Sequence, residues 1–241
     1  MLWHYQFTPH DLHDWDATEP LVLVDTDYGG RPRKLLLQAN RNGFVYVLDR
    51  TTGEFLFAKP FVKKMNWASG YGLDGKPQLL PANQPTRAGV KTCPSVRGAT
   101  NWYATSFNPD TKLFYVMSVE DCSIYRQAHD GGYEGYRNPG DSGLKYLRAI
   151  NIHSGATDWE IPQQGPQEAN YSGVLTTAGG LVFAATADGD MLALDDATGK
   201  LLWRYPMGGR AFANPISYRA ADGKQHIAIA CGHTLFSFSV E

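Results

Sequence analysis

Three segments of this chain repeat one short pattern: Asp or Asn, then Thr or Ser at +3, Gly at +4 and an aromatic at +8. They are Asp49-Arg-Thr-Thr-Gly-Glu-Phe-Leu-Phe57, Asn151-Ile-His-Ser-Gly-Ala-Thr-Asp-Trp159 and Asp195-Asp-Ala-Thr-Gly-Lys-Leu-Leu-Trp203. Each predicts a strand that ends at Asp or Asn, whose side chain closes the turn. Gly then supplies a positive φ, and the next strand returns an aromatic to the core. Trp3 reads as the aromatic end of a further copy whose beginning lies outside the chain.

β-rich runs surround each turn: Lys34–Ala39 and Phe44–Leu48, Lys112–Ser118 and Lys145–Ile150, Gly180–Ala185 and Met191–Leu194. The tail adds Ala213–Tyr218, His226–Ala230 and Thr234–Val240, and no helical period occurs. The aromatic ends are spaced by 54, 102 and 44 residues. Units of roughly 40–50 residues built from four strands are propeller blades. The expected fold is therefore all-β, a partial β-propeller ring of about four four-stranded blades over residues 1–241. The blades fall near 17–60, 98–162, 170–206 and 210–241, with Gly-, Pro- and Tyr-rich insertions near 61–92 and 119–146. An ordinary β-sandwich with coincidental turns is the competing fold.

Charge excludes two classes of partner. A net charge of −2 and a pI near 6.4 leave no basic field for nucleic acid or an anionic membrane. No apolar run approaches the roughly 20 residues that span a bilayer. Met-Leu-Trp-His-Tyr-Gln is not a secretory leader, so either the protein is cytosolic or the chain is the downstream part of a longer exported one, with a periplasmic location and an export signal expected upstream.

The densest chemistry lies in Thr8-Pro-His-Asp-Leu-His-Asp-Trp-Asp16, with three carboxylates and two imidazoles in nine residues. Carboxylates beside indole and imidazole point to a metal or proton-transfer site. His10 and His13 have the spacing of zinc ligands but no third nitrogen or sulfur nearby. Together with Asp11 they read as supports that orient Asp14.

The turn pattern resembles the tryptophan-docking repeat of pyrroloquinoline-quinone (PQQ) dehydrogenases, which are eight-bladed propellers. Similar stretches run along nearly the whole chain: Trp3–Asp11, Ala39–Asp49, Gly98–Tyr103, Ser172–Thr177 and Asp222–Ala230. They resemble the C-terminal half of the alcohol, methanol and glucose dehydrogenases. The resemblance implies oxidation of a primary alcohol or sugar by base-assisted hydride transfer to the quinone, with Ca²⁺ or a lanthanide polarising the quinone carbonyl. It implies Asp14 as base and metal neighbour, and Asp16, in a D-x-D pattern resembling lanthanide users, as a second metal carboxylate. Arg41, Asn101, Trp102 and Tyr171 match cofactor neighbours, Tyr171 at a place more often held by Trp. Arg41 is otherwise a hairpin arginine, and Asn101 with Trp102 a turn amide beside a core aromatic.

Cys93 and Cys122 resemble a structural disulfide of periplasmic members; the other reading is two buried thiols. The electron acceptor implied is a c-type cytochrome or a membrane quinone. The family's adjacent-cysteine ring, its glutamate and asparagine metal ligands and its stacking Trp are expected outside this chain, which alone is then expected to be inactive or nearly so. Cofactor-free propellers that scaffold protein assembly share the docking turn, and form the alternative reading.

Overall fold

The computed structural model describes residues 1–129, 131–138, 140–141, 143–163 and 172–239. Apart from one 3-10 turn at Pro81–Asn83, the regular elements among them are strands. The first sheet is a meander of β1 (Val22–Tyr28), β2 (Arg31–Ala39), β3 (Phe44–Asp49) and β4 (Phe55–Pro60). The expected insertions carry β5 (Ala68–Tyr71), β6 (Pro77–Leu79) and β7 (Val90–Thr92), then, after β8 (Ser106–Asn108) and β9 (Leu113–Glu120), β10 (Ser123–Gln127) and β11 (Tyr133–Arg137). β5 pairs with β6, and β7, β10 and β11 form a sheet of their own. β12 (Leu144–Asn151) and β13 (Thr157–Pro162) complete a second four-stranded sheet with β8 and β9.

A third four-stranded sheet holds β14 (Val174–Thr177), β15 (Leu181–Ala185), β16 (Asp190–Asp195) and β17 (Leu201–Pro206). The last holds only β18 (Ile216–Arg219), β19 (Gln225–Cys231) and β20 (Thr234–Ser239). Four strands were expected there. The stretch before β18 is loop instead: Pro215 lacks an amide for a ladder, and the Asn214 side chain accepts a bond from the Ala104 amide. Two compact units emerge, one of Met1–Trp102, Ser118–Leu144 and Ile152–Ala156, the other of Tyr103–Met117, Lys145–Asn151 and Thr157–Glu241.

The repeated pattern is a repeated structure. The Asp49 side chain accepts the Thr51 amide and the Asp195 side chain the Thr198 amide. Gly53 and Gly199 return their amides to the carbonyls of Asp49 and Asp195 at 2.8 and 2.9 Å. The strand ladder slips at Val47/Leu48, Ala149/Ile150 and Ala193/Leu194, the same place in each repeat. A bulge there raises local twist and aims the turn.

Each turn then receives an aromatic from an earlier blade. A Cβ on Gly53 would meet the Trp3 ring at 2.7 Å, and one on Gly199 the Trp159 ring at 2.8 Å. Gly155 is covered by Phe57 and Lys59 in the same way. The Trp3 indole donates to Arg50 O at 3.0 Å and the Trp159 indole to Asp196 O at 2.9 Å, in each case the carbonyl just after the turn Asp. Trp3 therefore does the work of a repeat aromatic, as the pattern implied. Trp203 packs edge-on against Phe238 at 5.1 Å but stays 38% exposed.

In the second unit, Ala185, Met191, Met207, Ile227 and Ile229 form a core between the last two sheets. Beside it lies a groove of about 690 Å³ lined by Phe183, Leu202, Trp203, Ile227 and Phe238. All six residues of β17 are exposed, Leu201, Leu202 and Trp203 among them. Such an apolar face is characteristic of a surface that another layer covers.

Gly199 has a φ of +71° as well as the Trp159 ring against it. Gly199→Ala is expected to cost about 2–4 kcal/mol, combining left-handed backbone strain with overpacking. A urea melt reads this as a lower midpoint with an unchanged slope.

Candidate active site

The nine-residue acid and imidazole segment forms no strand; it is folded by its own side chains. Asp11 accepts the amides of His13 and Trp15 at 2.9 and 2.6 Å, and its carboxylate lies 3.8 Å from His13 Nδ1. Burial would raise the Asp11 carboxyl, but the nearby His13 imidazole and the two amide bonds outweigh it and hold the group below the usual carboxylate range. His13 is 1% exposed and stacks on Trp15, ring centroids 4.2 Å apart. Asp11 and His13 thus shape the turn, while His10 stays exposed.

Trp15 anchors this turn. It is 2% exposed, donates its indole N–H to Ser95 O at 2.9 Å and packs on Trp67. Its neighbours Asp14 and Asp16 carry side chains that are each 69% exposed. Asp14 takes a φ of +61°, a conformation that Asp tolerates better than most residues. The buried indole therefore fixes the backbone between two outward carboxylates.

Both carboxylates face Arg41. Its Nη2 is 3.9 Å from Asp14 Oδ2 and its Nη1 3.9 Å from Asp16 Oδ2. At that length the pairing is Coulombic rather than hydrogen-bonded. Arg41 is itself buried, donates through Nη2 to Val96 O, and has a buried Nε without an acceptor. It occupies the tight link between β2 and β3, where Asn40 Oδ1 accepts the Asn42 amide and the Gly43 amide bonds to Asn40 O. Asn42 reaches Thr8 Oγ1 at 2.9 Å and Tyr46 OH at 2.7 Å, tying this link to the start of the acidic segment.

Sequence reasoning missed the loop that holds these pieces together. Residues 93–99 supply the carbonyls of Ser95 for Trp15 and Val96 for Arg41, and Ala99 donates its amide to Arg41 O at 2.9 Å. Gly98, φ +80°, lies so near Arg41 that a Cβ would come within 2.6 Å of the Arg41 Cβ. A Cys93–Cys122 disulfide closes this loop on the link between β9 and β10. Gly98 beside a Cys-Pro pair was the available signal.

Asn101 and Trp102 follow on the same loop. The Asn101 amide is engaged locally, donating to Arg97 O at 3.0 Å and accepting the Trp102 amide at 2.9 Å, and Trp102 is 48% exposed. Tyr171 lies outside the described residues. Glu19, which the sequence reading passed over, is buried within the field of Arg41 and Asp16.

Chemically, the geometry offers two solvent-facing anionic groups and a desolvated cation between them. Among the described residues no group of three or more His, Cys, Asp or Glu side chains gathers into a cation cage. Asp14 and Asp16 fit a hard, oxygen-seeking cation as one wall of its shell. Arg41, with an unpartnered buried N–H, fits an acidic cofactor.

Comparisons with known proteins place the chain in a family. The model of the PQQ glucose/ethanol/alcohol dehydrogenase β-propeller domain matches residues 1–63 and 146–227. This chain belongs to that family. It is 37% identical over 249 residues to the quinohemoprotein alcohol dehydrogenase of Comamonas testosteroni, covering 95% of this chain and 34% of that protein. A lanthanide-dependent methanol dehydrogenase of Methylacidiphilum fumariolicum is 34% identical, with 95% of this chain and 39% of the relative covered. The crystal structure of the Comamonas testosteroni enzyme superimposes with a TM-score of 0.86, and a europium-containing methanol dehydrogenase with 0.81, at 35% and 34% identity. These superpositions cover 95% and 93% of this chain but 36% and 41% of the solved chains. The chain thus spans little more than a third of the length of such relatives. The all-β propeller reading stands.

Two outcomes follow from this site. The disulfide spans 29 residues, so Cys93→Ser with Cys122→Ser is expected to lower stability by about 3–4 kcal/mol in the chain-entropy model. Near-ultraviolet circular dichroism should report looser packing around Trp15 in that variant. Burial pushes the Glu19 carboxyl from 4.5 up to about 7. The folded chain therefore keeps this proton to higher pH than the unfolded chain does, and stability falls as pH climbs from about 4.5 to about 7. Glu19→Gln should remove that decline, worth about 3 kcal/mol, and melts at pH 5 and 7.5 measure it.

Proposed function

We propose that this chain supplies the base, part of the cation shell and one wall of the quinone pocket of a PQQ-dependent alcohol dehydrogenase. The observation that carries the reading is the pairing of Asp14 and Asp16 with Arg41, each carboxylate 3.9 Å from the guanidinium. Propeller scaffolds share the docking turns but have no need for this charge arrangement.

Bound PQQ would supply an electrophilic quinone carbonyl that takes hydride from the substrate, polarised by Ca²⁺ or a lanthanide. Asp14 is the base: its exposed carboxylate oxygen takes the hydroxyl proton of a primary alcohol or sugar. Asp16 adds a second anionic oxygen, which suits a trivalent ion more than Ca²⁺. Similarity to lanthanide-dependent methanol dehydrogenases supports that assignment. Arg41 would hold the quinone oxygens, and its guanidinium would offset negative charge developing there. Asn101 and Trp102 are assigned to the rim of that pocket, and Tyr171 to its wall, by resemblance alone.

The exposed apolar faces of the second unit and the share of the relatives' length that this chain covers support a larger assembled propeller. Alone, the chain is therefore expected to turn over alcohol at or near background. A c-type cytochrome or membrane quinone is the electron acceptor proposed; one relative, from Thauera butanivorans, is named 1-butanol dehydrogenase (cytochrome c). The Cys93–Cys122 disulfide supports an oxidising compartment, the periplasm. Among the described residues no helix is long and apolar enough to cross a membrane.

Titration with PQQ in the presence of Ca²⁺ or Tb³⁺, followed by quenching of tryptophan fluorescence, tests the pocket. Saturable quenching is expected, weakened at least about tenfold by Arg41→Gln. Asp16→Ala should weaken Tb³⁺ binding more than Ca²⁺ binding. Absence of saturable quenching, or quenching indifferent to Arg41, would overturn the reading.

A further inference from the structure

The pairing of Asp14, Arg41 and Asp16 leaves one buried acid beside it without a role. Glu19 is 3% exposed, and neither of its carboxylate oxygens has a side-chain partner; only the backbone amides of Glu19 and Arg41 bear on them. Its backbone carbonyl accepts a bond from Gln38 Nε2, Gln38 Oε1 accepts from Asn40, and Asn40 Oδ1 accepts the Asn42 amide. Glu19 thus ends a line of buried amides that flanks Arg41 in sequence. The charged groups bearing on it are Arg41, which favours its ionised form, and Asp16, which opposes it.

Arg41 carries the matching defect. Its Nε is buried and has no acceptor. A buried ionisable group without a partner is costly, and so is a buried donor without an acceptor. An acid held only by backbone amides and a donor left without an acceptor, the acid lying in the field of the arginine, call for an arrangement in which they serve one another. Of the contacts Arg41 makes, both carboxylates stand at 3.9 Å, beyond hydrogen-bond range, and the bond from Nη2 to Val96 O leaves Nε unengaged.

We infer that Glu19 is a positioning residue of this site, the reserve counter-ion that receives Arg41 when Asp14 and Asp16 turn to a cation. The inference rests on the two-aspartate cation site proposed above. A cation that neutralises both aspartates deprives Arg41 of its partners and repels the guanidinium. A small withdrawal toward Glu19 restores a carboxylate to Arg41 and lengthens its distance from the cation. The cradle then takes a highly charged ion without stranding a buried arginine. Burial, which holds Glu19 near neutrality, is consistent with an acid that ionises when Arg41 reaches it. Gln at this position would keep the shape and lose the charge.

A double-mutant cycle on the 241-residue chain tests this, with Tb³⁺ alone as the probe and emission sensitised by Trp15 as the readout. Glu19→Gln is expected to weaken Tb³⁺ binding about tenfold where Arg41 is present, and less than about twofold in the Arg41→Gln chain. Equal factors in the two backgrounds would mean that Glu19 does not act through Arg41, and no effect in either would mean that it does not act; each overturns the inference. Glu19→Asp keeps the acid but draws it back, and runs through the same cycle should the Gln variant fail to fold; a smaller non-additive loss is expected, and an additive one overturns the inference. Asp14→Asn and Asp16→Asn identify the other failure. If neither weakens Tb³⁺ binding, the two-aspartate site itself is wrong and the role of Glu19 falls with it.

Discussion

The contact on which this structure depends is an aromatic ring laid on a glycine. At Gly53, Gly155 and Gly199 the positive φ turns the backbone back, and the missing Cβ opens a flat seat for Trp3, Phe57 and Trp159. Where the ring is an indole, its N–H also satisfies the carbonyl after the turn aspartate. One small motif thereby closes a hairpin, seats a ring and pays the hydrogen-bond debt of a turn carbonyl. The ladder slips at the same place in each repeat, so each turn leaves its strand with the same geometry.

The placement of the acidic segment follows from that docking. Trp3 is fixed on Gly53, Tyr5 stacks on Phe55 and Phe7 packs edge-on to Tyr46 at 4.8 Å. The segment that leaves Phe7 is thus delivered to a defined place, and Asn42 holds it at Thr8. From there Asp11 and Trp15 set the turn that carries Asp14 and Asp16 to Arg41. The carboxylates are exposed, yet their backbone is held by buried rings. That division keeps chemistry at the surface and rigidity beneath it.

Much of this was legible in the residues. The +3, +4 and +8 pattern marked the turns and their aromatics because Asp, Gly and Trp each have one physical reason to recur there. The closeness of Asp14, Asp16 and Arg41 was legible through family resemblance, since nothing local relates residue 14 to residue 41. Strands β5, β6, β7, β10 and β11 were hidden in what read as insertions: they are short, and Gly, Pro and Tyr interrupt their alternation. The seats offered by Ser95 O and Val96 O were hidden as well, because a backbone carbonyl leaves no mark on a side-chain pattern. Glu19, before Pro20, carries no mark in the sequence; only its burial sets it apart.

The most direct test is anomalous diffraction from crystals of this chain loaded with PQQ and Tb³⁺. A Tb³⁺ peak bonded to Asp14 and Asp16 carboxylate oxygens at about 2.3–2.6 Å, typical of a hard cation, with PQQ against Arg41, is the predicted result. A peak elsewhere, or PQQ bound away from Arg41, would contradict the account.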